Sequence, residues 1–350
     1  MPDEIHVAHA LYYFSVRIYD VILPNASPVS VNVFSMITFM SPLLLLLYAL
    51  LKRSAKGQLR DSAIAGLAIC LFLMAPIYFF ADNRYMTGYV NSMVWHSPTY
   101  HALRLFIVPV SLLALRAVDG SAHRDRAERA FWTLLTAGLL SLATFAKPSY
   151  TIALLPGCCL FALCRVWIRQ PVDWSMLLLG IVLPGAVMLG LQYLVNFGNG
   201  DDGIQFGVIL SARFHVESTW QIPFRIILSL AFPLSVYLLY FSESRKHTYL
   251  NLSWLICMLG LFFMYFFNVT GWRSNHAVFN WTAYSAAFAL MYASTQFLME
   301  KYSAARRRPI QVTEAMRRPV SLRPILVATM FGLHVGCGIV YYFQFLSYPG

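Results

Sequence analysis

Residues 31–81 read VNVFSMITFMSPLLLLLYALL (31–51), KRSAKGQLRD (52–61) and SAIAGLAICLFLMAPIYFFA (62–81), and they decide the class of the fold. Each apolar run is close to the ~20 residues with which a helix crosses about 30 Å of hydrocarbon. The segment between them carries Lys52, Arg53, Lys56 and Arg60. Neither run has the polar stripe of a helix that faces water on one side, so neither is the amphipathic helix of a soluble domain. Working outward, similar runs return at 102–118, 131–146, 151–168, 174–195, 223–241, 250–267, 282–299 and 325–346. The expected fold is therefore all-α, a polytopic transmembrane helical bundle of about ten spans. Composition agrees, with 59% hydrophobic and 12% charged residues and a mean hydropathy of +0.60. Soluble domains carry about 25% charged residues, and disordered or collagen-like chains look nothing like this. The six cysteines lie in apolar runs without the spacing of a disulfide framework or a zinc site.

The net charge of +11 invites a nucleic-acid reading, but its distribution gives another. If 52–61 is cytoplasmic, alternation fixes every other connector. The cytoplasmic set then holds 19 of the 26 lysines and arginines. This is the positive-inside pattern of a membrane protein, and nucleic acid needs no place as a partner. Acids divide almost evenly, 8 inside and 7 outside, whereas 6 of the 9 histidines fall outside. The inner connectors look like charged tethers, with 301–323 suited to anionic lipid head groups. The outer connectors are aromatic and chemically mixed, so the working face is expected outside.

One domain, 1–350, is expected: an outer amphipathic segment (1–30) and a membrane bundle (31–350), either with a first span missing ahead of it or with a short amino-terminal tail that is simply translocated. The segment from Pro2 through Ile18 is too polar to span and suits a helix lying on the outer membrane surface. Asp3 and Glu4 at its start either supply a general base for an acceptor hydroxyl or cap the helix N-terminus. His6 and His9 share a helical face without a third ligand, and no metal is expected there.

Four further outer features stand out. Residues 82–101 bring Tyr89, Trp95 and His96 together, either as an interfacial belt or as sugar-ring contacts. Arg104 lies just inside the next span, a costly place for a charge unless an anion meets it. Lys147-Pro148-Ser149 forces a tight turn, with Lys147 at the outer boundary as a snorkelling side chain or an anion contact. Residues 268–281 (NVTGWRSNHAVFNW) crowd Trp272, Arg273, Asn275, His276, Asn280 and Trp281 into one short connector. Arginine presents a fork of donors that fits a phosphate, and the rival role for this loop is an interfacial anchor. The stretch 196–222 has a Gly-rich start whose acidic pair Asp201-Asp202 suits either a cation loop or an ordinary solvated turn, and its later part, 204–220, resembles a re-entrant or surface segment. Gly332, Gly336 and Gly338 in the last span allow close helix approach.

This arrangement resembles the C-type superfamily of membrane glycosyltransferases in its polytopic helices, its acidic pair Asp3-Glu4 ahead of a surface helix, its tight Lys147-Pro148 turn and its basic or histidine-bearing later outer loops. The resemblance implies a sugar taken from a polyprenyl-phosphate-linked donor on the outer face and passed to a glycan, lipid or protein acceptor. It implies a carboxylate base (Asp3 or Glu4), cations for the donor phosphate (Arg104, Lys147, Arg273, His276), and sugar or acceptor contacts from Tyr89, Trp95, His96 and Trp272. No cofactor or metal is expected. The partners are the donor and membrane lipids, and the location is a bacterial inner membrane with the active face outside. Two rivals are an O-antigen polymerase or ligase, which calls for one larger outer loop, and a transporter or flippase, which calls for mid-membrane charge and repeated halves.

Overall fold

The computed structural model describes residues 10–78, 89–92, 97–120, 125–197, 203–207, 220–270, 279–306 and 322–347. Its helices are α1 (Ala10–Ile22), α2 (Pro28–Ala55), α3 (Asp61–Leu73), α4 (Pro98–Asp119), α5 (Arg126–Ala146), α6 (Ser149–Trp167), α7 (Leu183–Phe197), α8 (Gln221–Ser229), α9 (Ala231–Leu239), α10 (Phe241–Ser244), α11 (Thr248–Phe266), α12 (Asn280–Arg306) and α13 (Leu322–Ser347). A π-helical stretch, Met176–Val182, leads into α7. Local chemistry sets many of the ends. Ser27 caps α2 by accepting from the Ser30 amide, Asp125 caps α5 by accepting from the Glu128 amide, and Pro98 opens α4 where a missing N–H costs nothing.

Seven helices are long and apolar enough to cross a membrane, or eight if α8 and α9 form one broken span, which fits an integral membrane protein. Three of the expected spans differ in form, each for a physical reason. The run 62–81 is helical only to Leu73, and 74–78 is non-helical. Pro76 has no amide hydrogen and disfavours helix at the residue before it. The run 223–241 is two helices meeting at 74°. Pro233, third in α9, can neither donate to the carbonyl of Ser229 nor tolerate it close by. The run 282–299 lies within α12, which carries too many polar residues for a lipid-facing span. Thr282, Ser285, Ser294 and Thr295 are all buried on it, because α12 packs against α2, α4, α6, α9 and α11. A helix enclosed by other helices has no lipid to satisfy.

The bundle has two unlike ends. At one, ion pairs clamp the connectors: Lys52–Asp61 (3.0 Å), Arg116–Glu128 (2.9 Å), Arg129–Asp173 (3.4 Å), Arg165–Asp119 (3.0 Å), His247–Glu300 (3.2 Å) and Lys301–Glu243. Ser303 Oγ donates to the Ala55 carbonyl and Arg306 to that of Gln58, which ties the last turn of α12 to the α2–α3 connector. At the other end, an antiparallel ribbon of β1 (Ile204–Phe206) and β2 (Phe267–Val269) joins the α7–α8 and α11–α12 connectors, with Ile204 opposite Val269. The first residues of the stretch expected to be surface or re-entrant are thus a strand. Helix α1 rests on the first turns of α2 through Tyr12–Asn32 and Tyr19–Thr38 hydrogen bonds, both 2.6 Å.

Candidate functional site

The end that carries the ribbon also buries cations against aromatic rings. Helix α5 stops at Ala146 and α6 starts at Ser149, so the turn is as tight as Lys147-Pro148 dictates. Lys147 takes an extended conformation, its amide closing α5 on the Ala143 carbonyl. Its side chain is only 5% exposed. The ammonium lies 3.5 Å from the centroid of the Trp281 ring and donates to Thr99 Oγ1 at 3.3 Å. Among the described residues no carboxylate pairs with it. Burial pushes its pKa down from 10.5 to about 7.

The depth of this turn follows from α4. Thr99 and Ser111 are twelve residues apart on that helix, about 18 Å at 1.5 Å per residue. Lys147 reaches Thr99, while Tyr150, three residues on, shares a hydrogen bond with Ser111. The α5–α6 turn therefore lies between those levels, recessed below the start of α4.

Beside it sits Tyr100, wholly buried, 5.4 Å from the Trp281 ring and donating to the carbonyls of Ser92 (3.2 Å) and Tyr284 (3.0 Å). One turn deeper on α4, Arg104 is also fully buried. Its guanidinium stacks 4.3 Å from the Phe288 ring and 5.1 Å from Phe72, and it donates to the Phe72 carbonyl at 3.0 Å. That carbonyl belongs to the last turn of α3, whose C-terminal carbonyls are left without helical partners by the break. Arg104 thus stabilises the broken end of α3. A third buried cation, Arg225 on α8, lies 5.4 Å from the Tyr89 ring, and the Ser229 hydroxyl near it accepts from the Val90 amide at 2.9 Å.

Of the residues singled out from the sequence, Lys147, Arg104 and Tyr89 fall in this aromatic–cationic layer. Asp3, Glu4, Trp95, His96, Trp272, Arg273 and His276 lie outside the described residues. Tyr100 belongs to the aromatics of the 82–101 stretch read as belt or sugar contacts, whereas Thr99 was not singled out from the sequence and Arg225 counted only as one of the outer basic residues. For Arg225 the signal was present, since a lone arginine inside IPFRIILSL is the same anomaly that marks Arg104 inside ALRLFIV.

The second feature of interest lies at the two helix breaks. His334 of α13, fully buried, accepts from the Phe232 amide at the start of α9 through Nε2 (3.3 Å) and donates through Nδ1 to the Ala75 carbonyl (2.6 Å). This pair of bonds selects the neutral Nδ1–H tautomer. The His334 carbonyl accepts in turn from the Ala75 amide at 3.2 Å. One residue therefore closes the exposed backbone of both interruptions. Among the described residues, no group of three or more His, Cys, Asp or Glu is placed to hold a metal ion. Comparison of the chain with protein-family models, with curated proteins and with solved structures finds no match in any of the three.

Proposed function

We propose that the chain is a membrane glycosyltransferase that takes a sugar from a polyprenyl-phosphate donor and passes it to a glycan, lipid or protein acceptor on the outer face of a bacterial inner membrane. The chain would cross the membrane about ten times, the ion-pair end being cytoplasmic and α1 lying along the outer surface. The observation that carries the reading is Lys147: a buried ammonium at a recessed turn, held by a ring and a hydroxyl. A phosphate would supply the negative charge that neither of those two partners brings to it. In the transfer step the acceptor hydroxyl loses its proton to Asp3 or Glu4 and its oxygen bonds to the anomeric carbon. The bond from that carbon to the phosphate oxygen breaks, and Lys147, Arg273 and His276 take up the charge on the departing polyprenyl phosphate.

Transfer from a radiolabelled polyprenyl-phosphate sugar, in membranes at matched expression, tests the proposal. Arg273→Lys keeps the charge but loses the two-pronged donor, so it is expected to impair transfer nearly as much as Arg273→Ala. Transfer no greater than in membranes lacking the chain refutes the function, and full activity in Arg273→Ala refutes that residue's role.

One observation favours a second reading, a transporter or flippase. Interrupted helices that meet inside the bundle are the form in which substrate sites of transporters are built, and α3 and α8–α9 meet at His334. Flux of a lipid-linked sugar across liposomes carrying the purified chain, without transfer to an acceptor, would support it.

A further inference from the structure

A cavity of about 480 Å³ opens between α3, α9, α12 and α13 at the ion-pair end. Its walls are apolar, and Ala328 and Pro324 of α13 and Ala305 of α12 are exposed at its sides, so it opens laterally as a groove. On α12 it runs from Thr295 to Ala305. Ten residues of helix are about 15 Å, half of a hydrocarbon core of about 30 Å. The groove therefore has the depth of one leaflet. Its inner end is closed by Phe232 and Phe331, whose rings meet edge to face at 5.1 Å.

Charge marks the other end. Arg306 follows Ala305 and Arg323 precedes Pro324, and both arginines are exposed. The segment 301–323 holds seven basic residues against one acid, Glu314. An apolar slot one leaflet deep, with arginines at its mouth, matches a molecule with a hydrocarbon tail and an anionic head. We infer that this groove holds an acyl chain of an anionic phospholipid from the surrounding leaflet, with Arg306 and Arg323 meeting its phosphate. Such a lipid would wedge α13 against α12 and α3, and so support the helix break that His334 closes three residues beyond Phe331.

The test is native mass spectrometry of the purified full chain in detergent, mixed with phosphatidylglycerol or with phosphatidylcholine of the same chains. With about 1 kcal/mol from each arginine that meets an anionic head group, the native chain is expected to retain phosphatidylglycerol in about thirtyfold preference. Arg306→Ala with Arg323→Ala is expected to abolish the preference while leaving a bound lipid of either kind. Ala328→Trp fills the groove and is expected to reduce retention of both lipids. Ala305→Trp, on the facing wall, gives the same readout should Ala328→Trp fail to fold. Equal retention of both lipids by the native chain, retention of neither, a preference that survives loss of both arginines, or unchanged retention in the tryptophan variants overturns the inference.

Discussion

Replacing Lys147 by Met separates a cation kept for a ligand from one kept for the fold. The methionine fills much the same space without the charge. Folding lowers the lysine pKa, so its charged form is disfavoured in the native state. The penalty is fully present below about pH 7 and fades as pH rises towards 10.5. With about 1.36 kcal/mol for each unit between the two values, the cost at pH 7 is about 4 kcal/mol. The ring contact with Trp281, worth about 0.5–2 kcal/mol, is lost in the same substitution. Lys147→Met is therefore expected to stabilise the unliganded protein at pH 7 by about 2–3.5 kcal/mol, on the same figures. The difference should narrow at pH 10, where the native lysine is largely neutral. Polyprenyl phosphate reverses the order. At about a hundred times its Kd a ligand adds about 2.7 kcal/mol, and the native chain is expected to gain this while Lys147→Met gains little. Thermal unfolding in detergent, followed by near-UV circular dichroism with and without polyprenyl phosphate, measures both. A Lys147→Met protein less stable than the native one at pH 7, or equal stabilisation of the two by the ligand, refutes the reasoning and makes Lys147 a structural partner of Trp281.

The remaining expectations concern topology and the helix breaks. A membrane-impermeant thiol reagent on intact cells is expected to label a cysteine introduced at Ser274 but not one at Ala304, and the opposite result inverts the proposed orientation. His334→Ala leaves the Ala75 carbonyl and the Phe232 amide without their partner; at about 1–3 kcal/mol for each buried group so orphaned, a clear fall in unfolding temperature is expected, and an unchanged one denies the histidine its bracing role. Gly338→Ala would place a methyl carbon 1.8 Å from the Leu73 carbonyl oxygen, so it is expected to destabilise the protein far more than Gly336→Ala, whose new carbon meets nothing within 4 Å; equal effects in the same melting assay would show that α13 does not approach the end of α3 so closely.

Much of the fold was legible because hydrocarbon imposes a simple rule on helices that face it, and α2, α4, α5, α6, α7, α11 and α13 obey it. Helix α12 was legible as a helix but not as the enclosed one, since its buried serines and threonines differ little from those of a helix facing a lumen. The glycines of α13 show a similar limit. Small residues permit close approach, yet among the three only Gly338 is used for it, while Gly332 and Gly336 face open space. The breaks were the hardest to read. Pro42, Pro109 and Pro156 lie inside continuous helices, so a proline alone does not tell a bend from an interruption. What separates Pro76 and Pro233 from them is the supply of partners for the backbone that an interruption exposes. Phe72 has Arg104, Met74 has the Ser92 hydroxyl, and Ala75 and Phe232 share His334. These partners come from 18 to 259 residues away in the chain, beyond the reach of any local pattern. The same logic revises the reading of Arg104. From the sequence it is a charge awaiting an anion, but a helix that ends inside the bundle presents carbonyls with a partial negative charge, and Arg104 meets one of them. In the proposed reaction the anion is then assigned chiefly to Lys147, whose described partners are a hydroxyl and an aromatic face, neither of which neutralises an ammonium.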